Sequence, residues 1–414
     1  MNDADAASLR HGLQRMGFTE ALHPAEADLV ILITCVVRQS AEDKVSGRLS
    51  SLKGLKRDQD RPSILVMGCF VHDASQLARS YPHVDAFFAP SDIAGVLSWV
   101  QERMDAAPRP DRPATAAGPQ KSPVTALVPI TYGCDHRCTY CIVRLRRGAM
   151  QSRPVAAIVA DAERWSNLGA KEVTLLGQNV DAYGQDLGPG GPDLADVLEG
   201  VHEIENLQRI RFLTSHPAHV SPKLIAAVAG LPKVCPHFEL PVQSGDDRVL
   251  KRMSRGYTVA EYRDLIARIR RQVPGCSIAT DVIVGFPGEQ PAQFQATYCL
   301  LESLRFDMVH IAKYSPRPGT PASRLEDDVE PEEKERRRKA LDGLQATVAG
   351  EINAALQGQT VEVLVEDQRQ QRWRGRTRTN KLVYFEDPGN WRGRLAQVEI
   401  AWTTPWSMRG AVRA

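Results

Sequence analysis

The sequence predicts an α/β protein built from an N-terminal α/β domain with a parallel sheet, a partial (β/α)6 barrel and a small C-terminal β-barrel. Helical and strand-like hydrophobic patterns alternate over residues 1–103, which is typical of a parallel sheet covered by helices. Six strand-like segments separated by amphipathic ones follow within residues 125–324, which is the repeat of a (β/α) barrel. Short strand-like pieces parted by Gly, Asn and Pro end the chain, as in a small β-barrel.

The first domain, residues 1–103, is predicted to bring two cysteines to one sheet edge. Its predicted elements are helices at 6–16 and 41–55 and strands at 27–34 and 63–67. Cys35 and Cys69 follow the two strands. Consecutive parallel strands are commonly neighbours, so both thiols would emerge at the same edge. They are either half of a metal site or a pair of ordinary buried cysteines.

A linker is predicted at residues 104–124, where five prolines occur without any apolar period. The barrel domain follows at residues 125–345. Its strands are predicted at residues 125–131, 172–176, 209–214, 237–241, 277–284 and 308–314. Such a barrel carries its chemistry at the C-terminal ends of its strands. A charged helix at 331–356 leads into the last domain, residues 346–414.

The basic residues are concentrated at the end of the chain. The whole chain has a formal net charge of +2, whereas residues 359–414 alone carry +4. Arg374, Arg376, Arg378 and Lys381 lie among aromatic residues in this segment. Arginines interleaved with aromatics on a small β-barrel suit phosphate contact and base stacking, so we expect these four residues to bind RNA. A solvated basic rim is the alternative.

Cysteine usage and hydropathy indicate the compartment. Eight cysteines in 414 residues are too few for a disulfide scaffold, and their clustering favours metal binding in a reducing environment. The sequence shows no signal peptide and no run of about eighteen apolar residues. We therefore expect a cytoplasmic protein that has no membrane partner.

Three cysteines within eight residues, Cys134, Cys138 and Cys141, follow the first predicted barrel strand. Thiolates at i, i+4 and i+7 on a loop can converge on one iron–sulfur cluster, yet they supply three of the four ligands that such a cluster usually takes. One iron is then open to another ligand. A zinc site, which prefers four closed ligands, and three free core cysteines are the alternatives.

The cysteine triad, with Tyr140 just before its last cysteine, resembles the signature of radical S-adenosylmethionine (SAM) enzymes. Further stretches extend the resemblance to almost the whole chain: Thr34-Cys35-Val36-Val37-Arg38, Leu176-Gly177-Gln178-Asn179-Val180, Thr214-Ser215-His216-Pro217, Pro241-Val242-Gln243-Ser244-Gly245 and Val284-Gly285-Phe286-Pro287-Gly288. Together they are similar to the methylthiotransferase family of radical SAM enzymes, and most similar to its members that make 2-methylthio-N(6)-dimethylallyladenosine in tRNA.

The resemblance implies two 4Fe-4S clusters, SAM as a cofactor and a C-terminal TRAM module that binds tRNA. The triad would hold the cluster whose open iron binds SAM. Cys35 and Cys69 match the second and third ligands of an auxiliary cluster in the first domain. The family places the first ligand in a Gly-Cys-Gln-Met-Asn run, and this sequence starts at Met1-Asn2. We expect a misplaced start or a truncation; a genuine two-thiolate site is the alternative.

The resemblance also assigns contact residues around the barrel rim. Cofactor contacts are expected from Tyr140, Gln178, Asn179, Gln243, Ser244 and Gly285. Gly285 would let the backbone approach SAM, unless it only makes a tight turn. Arg147 and Arg153 would bind tRNA, and with Ser215 and His216 could meet phosphates or the SAM carboxylate. A satisfied structural histidine is the alternative for His216.

The implied reaction adds a methylthio group to carbon 2 of an N(6)-dimethylallyl adenosine next to the anticodon. That C–H bond is not acidic, so a radical must remove the hydrogen, with Cys134, Cys138 and Cys141 as the catalytic cluster ligands. Arg144 and Met150 depart from the family pattern. These departures leave threonylcarbamoyl adenosine or a ribosomal protein residue as alternative substrates. The missing first auxiliary-cluster cysteine leaves an impaired RNA-binding paralogue as a further alternative. The implied partners are the tRNA anticodon stem–loop and an electron donor such as flavodoxin or ferredoxin, with the enzyme a monomer.

Overall fold

The predicted alternation of helices and strands is present in the computed structural model of the chain, which describes residues 1–36, 39–56, 62–106 and 122–413. The chain divides into two units, residues 1–121 with 142–149 and residues 122–141 with 150–414. The predicted linker at 104–124 falls largely on residues 107–121, which lie outside the described residues.

The first unit is a three-stranded parallel sheet between helices. Its elements are α1 (Asn2–Arg15), β1 (Leu29–Thr34), α2 (Gln39–Leu52), β2 (Ser63–Gly68), α3 (Ala74–Ser80), β3 (Ala86–Phe88), α4 (Ile93–Ala106) and α5 (Val143–Arg147). The strand order is β1-β2-β3, with Thr34 opposite Gly68. The two strands predicted from hydrophobicity are confirmed. The third, β3, is too short for a hydrophobic period and was not predicted.

The central strand β2 has both of its faces buried, as expected in a parallel sheet covered by helices. Ile64 and Val66 pack in a core that includes Leu49 of α2. Leu65 and Met67 point the other way, into a core that includes Leu9 of α1. This explains the uninterrupted apolar run of β2. It also fixes the strand end at which Cys69 lies.

The second unit begins with a six-stranded parallel (β/α) arrangement. Its elements are β4 (Thr125–Pro129), β5 (Thr131–Tyr132), β6 (Gln151–Ser152), α6 (Val155–Asn167), β7 (Glu172–Leu176), α7 (Leu194–His202), β8 (Arg209–Phe212), α8 (Pro222–Gly230), β9 (His237–Glu239), α9 (Asp247–Arg252), α10 (Val259–Gln272), β10 (Ser277–Val284), α11 (Pro291–Leu304), β11 (Met308–Lys313) and α12 (Pro331–Ala354). Six of these strands pair in parallel as β4-β7-β8 and β9-β10-β11, and a bridge between Ile210 and Val234 links the two groups. The short strands β5 and β6 form a separate antiparallel pair. All six predicted barrel strands are confirmed.

Alternate residues of these strands face the surrounding helices and form the largest core. Val173, Phe212, Phe238 and Val282 are among its fully buried members. The helices begin at side-chain caps; α10, for example, has a capping box in which Thr258 and Glu261 bind each other's backbone N–H groups. Since one side of each strand is used for this core, the other side and the strand ends remain for polar residues.

The second unit ends in a closed five-stranded β-barrel. Its strands are β12 (Thr360–Arg369), β13 (Arg372–Thr377), β14 (Leu382–Phe385), β15 (Leu395–Thr403) and β16 (Met408–Val412), in the order β12-β13-β14-β16-β15. Strand β13 was not predicted because arginine occupies alternate positions. Its Trp373 and Thr377 are buried while the arginines point outward. The predicted domain boundary at 345–346 falls within α12.

The turn between β13 and β14 lies against the N-terminal ends of the parallel strands. Arg209 donates to the carbonyl of Arg376 at 2.7 Å. Arg211 donates to the carbonyls of Thr377 and Arg378 at 2.7 and 2.9 Å. Two buried arginines of β8 are thereby paired with backbone oxygens, which explains charged residues in an interior strand.

Among the described residues, no helix is both long enough and apolar enough to cross a membrane.

Candidate active site

The cysteine triad lies on a loop that is anchored to neighbouring segments of the second unit. The Thr139 hydroxyl donates to the Arg252 carbonyl at 2.8 Å, and the Thr139 N–H donates to the Met253 carbonyl at 3.1 Å. The N–H of Ala322 donates to the Thr139 carbonyl at 2.9 Å. The loop is therefore fixed from both sides at the centre of the triad. Cys138 is buried, whereas Cys134 and Cys141 are partly exposed.

The spacing of the triad favours a cluster over a single zinc ion. Among the described residues, two groups of three His, Cys, Asp or Glu side chains bring their ligand atoms within 4.8 Å of one another, and neither group contains a cysteine. Zinc at about 2.3 Å from each sulfur would draw the thiolates to within roughly 4 Å of one another. The three sulfurs are thus spread more widely than one zinc ion requires. Partial exposure of two of them also disagrees with three core cysteines.

A buried charged side chain, Arg255, is in contact with the triad. Its Nη1 lies 3.3 Å from Cys138 Sγ and 3.5 Å from the Tyr140 hydroxyl. Its Nε donates to the Tyr257 hydroxyl at 3.1 Å. Arg255 is 5% exposed, so its charge is inside the protein. Sequence reasoning missed Arg255 and Tyr257, because they lie more than a hundred residues from the triad and in no recognisable spacing with it.

Several polar atoms at the strand ends are buried without hydrogen-bond partners among the described residues. They belong to Gln178 (Oε1), Asn179 (Oδ1 and Nδ2), Ser215 (Oγ), His216 (Nε2) and Gln243 (Oε1). Buried polar groups in proteins are nearly always paired, so such a concentration needs an explanation. The set contains donors and acceptors. It fits a bound molecule that carries ammonium, carboxylate and hydroxyl groups, as SAM does.

Two residues at these strand ends have left-handed backbone conformations that are rare for their types. Thr214 has φ 75° and Gln243 has φ 68°. A β-branched residue with positive φ is a genuine outlier, and such strain clusters at functional sites. Backbone hydrogen bonds from Thr214 to the Glu239 carboxylate and from Gln243 to the Asp281 carbonyl hold both conformations. These backbone conformations set the direction in which the chain continues into Ser215 and Ser244 at the strand ends.

The structure gives Ser244 and Gly285 contacts within the protein. Ser244 is fully buried, and its hydroxyl lies 3.4 Å from that of Thr297. Gly285 has φ 69°, and a Cβ placed on it would lie 2.3 Å from the Lys334 side chain. Close packing against Lys334 therefore accounts for this glycine. Contact of either residue with SAM stays a prediction.

Three histidines cluster beside the triad loop. The rings of His136 and His216 stack with centroids 3.8 Å apart, and Nε2 of His136 lies 2.7 Å from Nε2 of His219. Burial lowers the pKa of His136 to about 4 and also lowers that of His216. Burial raises the pKa of Asp181, whose carboxylate oxygens accept the backbone N–H of His216, to about 8. The histidines are therefore neutral, and Asp181 is largely protonated near neutral pH. Sequence reasoning missed His136, His219 and Asp181, although His136 stands inside the triad.

Cys35 and Cys69 lie at adjacent strand ends of the first unit, as predicted. The Cys69 N–H donates to the Thr34 carbonyl at 3.2 Å, and the Thr34 hydroxyl donates to the Met67 carbonyl at 3.0 Å. Cys69 is 5% exposed, and burial raises the pKa of its thiol. Both thiols follow paired residues, Thr34 and Gly68, so the sheet register alone brings them to one edge.

Arg147 lies beside this pair. Its guanidinium hydrogen-bonds the Cys69 thiol and thereby opposes the rise in the pKa of Cys69 that burial causes. The same side chain donates to Ser91 at 3.1 Å and to Asn2 at 3.2 Å. Arg147 was predicted to bind RNA. Its contacts place it in the surroundings of Cys69, and RNA binding by Arg147 stays a prediction.

The other arginines and the lysine that were predicted to bind RNA also have partners in the protein. Arg153 pairs with Asp161, Arg374 with Asp367, Arg376 with Glu366 and Lys381 with Asp307, while Arg378 donates to the carbonyls of Pro232 and Val234. These side chains are therefore paired within the protein, and their binding to RNA stays a prediction. Two tryptophans that were not singled out, Trp402 and Trp406, are 48% and 51% exposed. The Arg409 guanidinium lies 4.9 Å from the Trp402 ring centroid.

Comparison with known proteins gives the family. The Uncharacterized protein family UPF0004 matches residues 1–89, the Radical SAM superfamily residues 128–301 and the TRAM domain residues 354–412. The chain is 48% identical to the tRNA-2-methylthio-N(6)-dimethylallyladenosine synthase of Roseiflexus sp. (strain RS-1), over 100% of this chain and 87% of that protein. It is 46% identical to the synthase of the same name from Herpetosiphon aurantiacus, over 99% of this chain and 94% of that protein.

A solved structure supports the fold. The radical S-adenosylmethionine methyltransferase TsrM from Kitasatospora setae, with cobalamin and a 4Fe-4S cluster bound, matches with a TM-score of 0.57 and 15% identity. The match covers 77% of this chain and 73% of that one. At this identity the likeness concerns the fold alone. With the cysteine triad, the barrel and the full-length relatives together, the chain belongs to the radical SAM family of the tRNA-2-methylthio-N(6)-dimethylallyladenosine synthases.

Proposed function

We propose that this protein is a transferase that adds a methylthio group to carbon 2 of N(6)-dimethylallyladenosine next to the anticodon of tRNA. The observation that carries the proposal is the anchored loop with Cys134, Cys138 and Cys141, which the six-stranded barrel presents near strand ends rich in unpartnered buried polar atoms. Relatives with 42–48% identity over the whole chain bear the name of this activity. A 4Fe-4S cluster and SAM are the cofactors of the radical SAM superfamily to which the chain belongs.

The residues of the barrel fit these cofactors. Cys134, Cys138 and Cys141 would hold the cluster through three thiolates. When bound, the cluster and SAM supply a radical that can remove the hydrogen at carbon 2 of the adenine. Gln178, Asn179, Ser215 and Gln243 would bind the polar groups of SAM, because their buried donors and acceptors have no partners in the described protein.

The protein's own part is binding, orientation and exclusion of water. The strained backbones at Thr214 and Gln243 are held by hydrogen bonds within the protein, so the fold itself orients the polar groups beside them. The neutral histidine stack and the protonated Asp181 add no net charge next to the loop. Arg255 is a buried cation in direct contact with the triad through Cys138.

We extend the proposal to Cys35 and Cys69 as ligands of an auxiliary 4Fe-4S cluster. Parallel strands set both thiols at one sheet edge, and a guanidinium stands beside Cys69. The unit that holds them matches the family region at residues 1–89. Full iron loading of wild-type protein and loss of part of that iron in Cys35→Ala would support this assignment.

For tRNA binding we propose the anticodon stem–loop as the ligand and the hairpin formed by β15 and β16 as one contact surface. Trp402 and Trp406 are half exposed on this hairpin, and Arg409 stacks on Trp402. Exposed aromatics beside arginine suit base stacking and phosphate contact. An electron donor of the flavodoxin or ferredoxin class and a monomeric state complete the proposal, in the cytoplasm.

The tRNA surface is tested by binding at several salt concentrations. Trp402→Ala with Trp406→Ala should weaken tRNA binding by at least about 30-fold, because base stacking contributes about 1–3 kcal/mol per base and two stacking rings are removed. Trp165→Ala, a partly buried residue of the barrel helices, serves as the matched control. Equal affinities of the double variant and the wild type would remove this surface from the proposal.

The reaction is tested by mass spectrometry of tRNA nucleosides. A deletion strain should accumulate N(6)-dimethylallyladenosine without its methylthio group, and the wild-type gene should restore the product while Cys138→Ala should not. A missing methylthio group on threonylcarbamoyl adenosine, or on a ribosomal protein residue, would contradict the proposed substrate. Unchanged nucleosides in the deletion strain would point to an RNA-binding paralogue.

A further inference from the structure

The guanidinium of Arg255 is held in one orientation by four neighbours. It contacts Cys138 Sγ at 3.3 Å and the Tyr140 hydroxyl at 3.5 Å through Nη1. Nη2 donates to the Pro241 carbonyl at 2.9 Å, and Nε donates to the Tyr257 hydroxyl at 3.1 Å. All three nitrogens of the guanidinium thus have a hydrogen-bond partner, and Nη1 contacts a cysteine sulfur.

The charge of Arg255 forms no ion pair with an Asp or Glu among the described residues. Arg255 is 5% exposed, so this charge is out of water. By contrast, the comparably buried Arg211 and Arg337 pair with Glu172 and Glu289. A guanidinium does not lose its proton, and a buried charge without a counter-charge is expensive. Of the four neighbours of Arg255, the Cys138 sulfur is the one that becomes an anion when it binds iron.

We propose that Arg255 is a positioning residue that donates a charge-assisted hydrogen bond to the Cys138 thiolate of the iron–sulfur cluster and thereby makes the cluster easier to reduce. This inference rests on the proposed function, since it requires a cluster at the triad. The physical reason is that one added electron increases the negative charge of the cluster, and a fixed positive charge with an N–H···S contact stabilises that reduced state. Hydrogen bonds to sulfur and local charge are established determinants of cluster potentials.

The second branch of the fork explains why arginine suits the position. Nη2 is anchored on the Pro241 carbonyl just before Gln243, so the side chain links the triad to the fourth barrel strand end. Lysine would keep a positive charge but could not reach Cys138 and Pro241 at once. Methionine would fill similar space without charge or donors.

The test is a potentiometric titration of the triad cluster followed by electron paramagnetic resonance. The full chain with Cys35→Ala and Cys69→Ala, reconstituted anaerobically, carries iron at the triad alone and is titrated with dithionite as the one-electron reductant. Arg255→Met should bind the same amount of iron but show a more negative midpoint potential. At a fixed potential its reduced fraction should fall several-fold, and Arg255→Lys should fall by less. Arg263→Met, whose guanidinium donates to Ser303 between two helices and not to the triad loop, should titrate like the parent.

The outcomes of this titration separate a failure of the Arg255 proposal from a failure of the proposed function. Equal midpoint potentials of the parent and Arg255→Met at equal iron content would overturn the proposal and leave the proposed function intact. If Arg255→Met takes up no iron, Arg255→Lys decides in its place, and an unchanged potential of the lysine variant would overturn the proposal. A parent protein that binds no iron at the triad would instead refute the proposed function.

Discussion

The two cysteine regions of this molecule bring their thiols together in different ways. The triad draws Cys134, Cys138 and Cys141 from one short loop that backbone hydrogen bonds anchor at Thr139. The pair draws Cys35 and Cys69 from two strands, and the parallel register of those strands alone brings them together. Each region has one guanidinium beside a buried cysteine, Arg255 in the first case and Arg147 in the second.

The difference between the two arginines shows how burial sets their roles. Arg255 is 5% exposed, forms no ion pair with a carboxylate in the described part of the chain, and donates to the Cys138 sulfur. Arg147 is less buried and shares its donors among Cys69, Ser91 and Asn2. A charge that is partly hydrated acts weakly on its neighbour. We therefore expect Arg255 to tune a potential and Arg147 mainly to fix local structure.

The largest expected effect separates the chemical roles of the two regions. Cys138→Ala should abolish the reductive cleavage of SAM and the methylthio product, because the remaining two thiolates cannot retain the cluster. Cys69→Ala should abolish the methylthio product and leave the cleavage of SAM intact. Deoxyadenosine release, followed by chromatography, and mass spectrometry of the tRNA product distinguish these cases.

Cys299→Ala is the matched control for both cysteine variants, since Cys299 is exposed and far along the chain from either region. It should retain both activities. Loss of SAM cleavage in Cys69→Ala as well would contradict separate chemical roles for the two regions.

A smaller effect is expected where the register of the pair depends on one glycine. Gly68 has φ 121°, and a Cβ on it would lie 2.4 Å from the Thr34 carbonyl oxygen. Gly68→Ala should therefore lower the free energy of unfolding by at least about 2 kcal/mol, measured by urea denaturation. Gly47→Ala, on α2 with nothing within 4 Å, should raise it by up to about 1 kcal/mol. Equal stabilities of these two variants would contradict the close approach of β1 and β2.

The smallest effect is expected at Arg147. Arg147→Met removes hydrogen bonds to Ser91 and Asn2, and should cost the first unit about 1–2 kcal/mol. Hydrogen exchange of that unit, followed by mass spectrometry, measures the local loss. Arg10→Met, which removes an exposed ion pair with Glu20, should change exchange by less than about 0.5 kcal/mol. An effect of Arg147→Met no larger than that of the control would show that its contacts are not structural.

The sequence predicted those parts of the molecule whose signals are local. The triad could be recognised because its three cysteines lie in one loop. Strands such as β2 could be recognised because both of their faces are apolar. The edge shared by Cys35 and Cys69 followed from the rule that consecutive parallel strands are neighbours.

The parts that sequence reasoning missed depend on tertiary partners. The buried arginines of β8 are explained by their hydrogen bonds to carbonyls of the β13–β14 turn, which lies far along the chain. The same turn explains why Arg378 and Lys381, which were expected to bind RNA, are bonded within the protein. Arg255 reaches Cys138 from 117 residues away, so no local pattern could assign it to the triad.

The central claim is that the triad holds an iron–sulfur cluster whose open iron binds SAM. The most direct measurement is iron content and electron paramagnetic resonance of the anaerobically reconstituted full chain carrying Cys35→Ala and Cys69→Ala. We predict about four irons per chain and a spectrum of the reduced cluster that changes when SAM is added. A protein without iron, or a spectrum indifferent to SAM, would contradict the account.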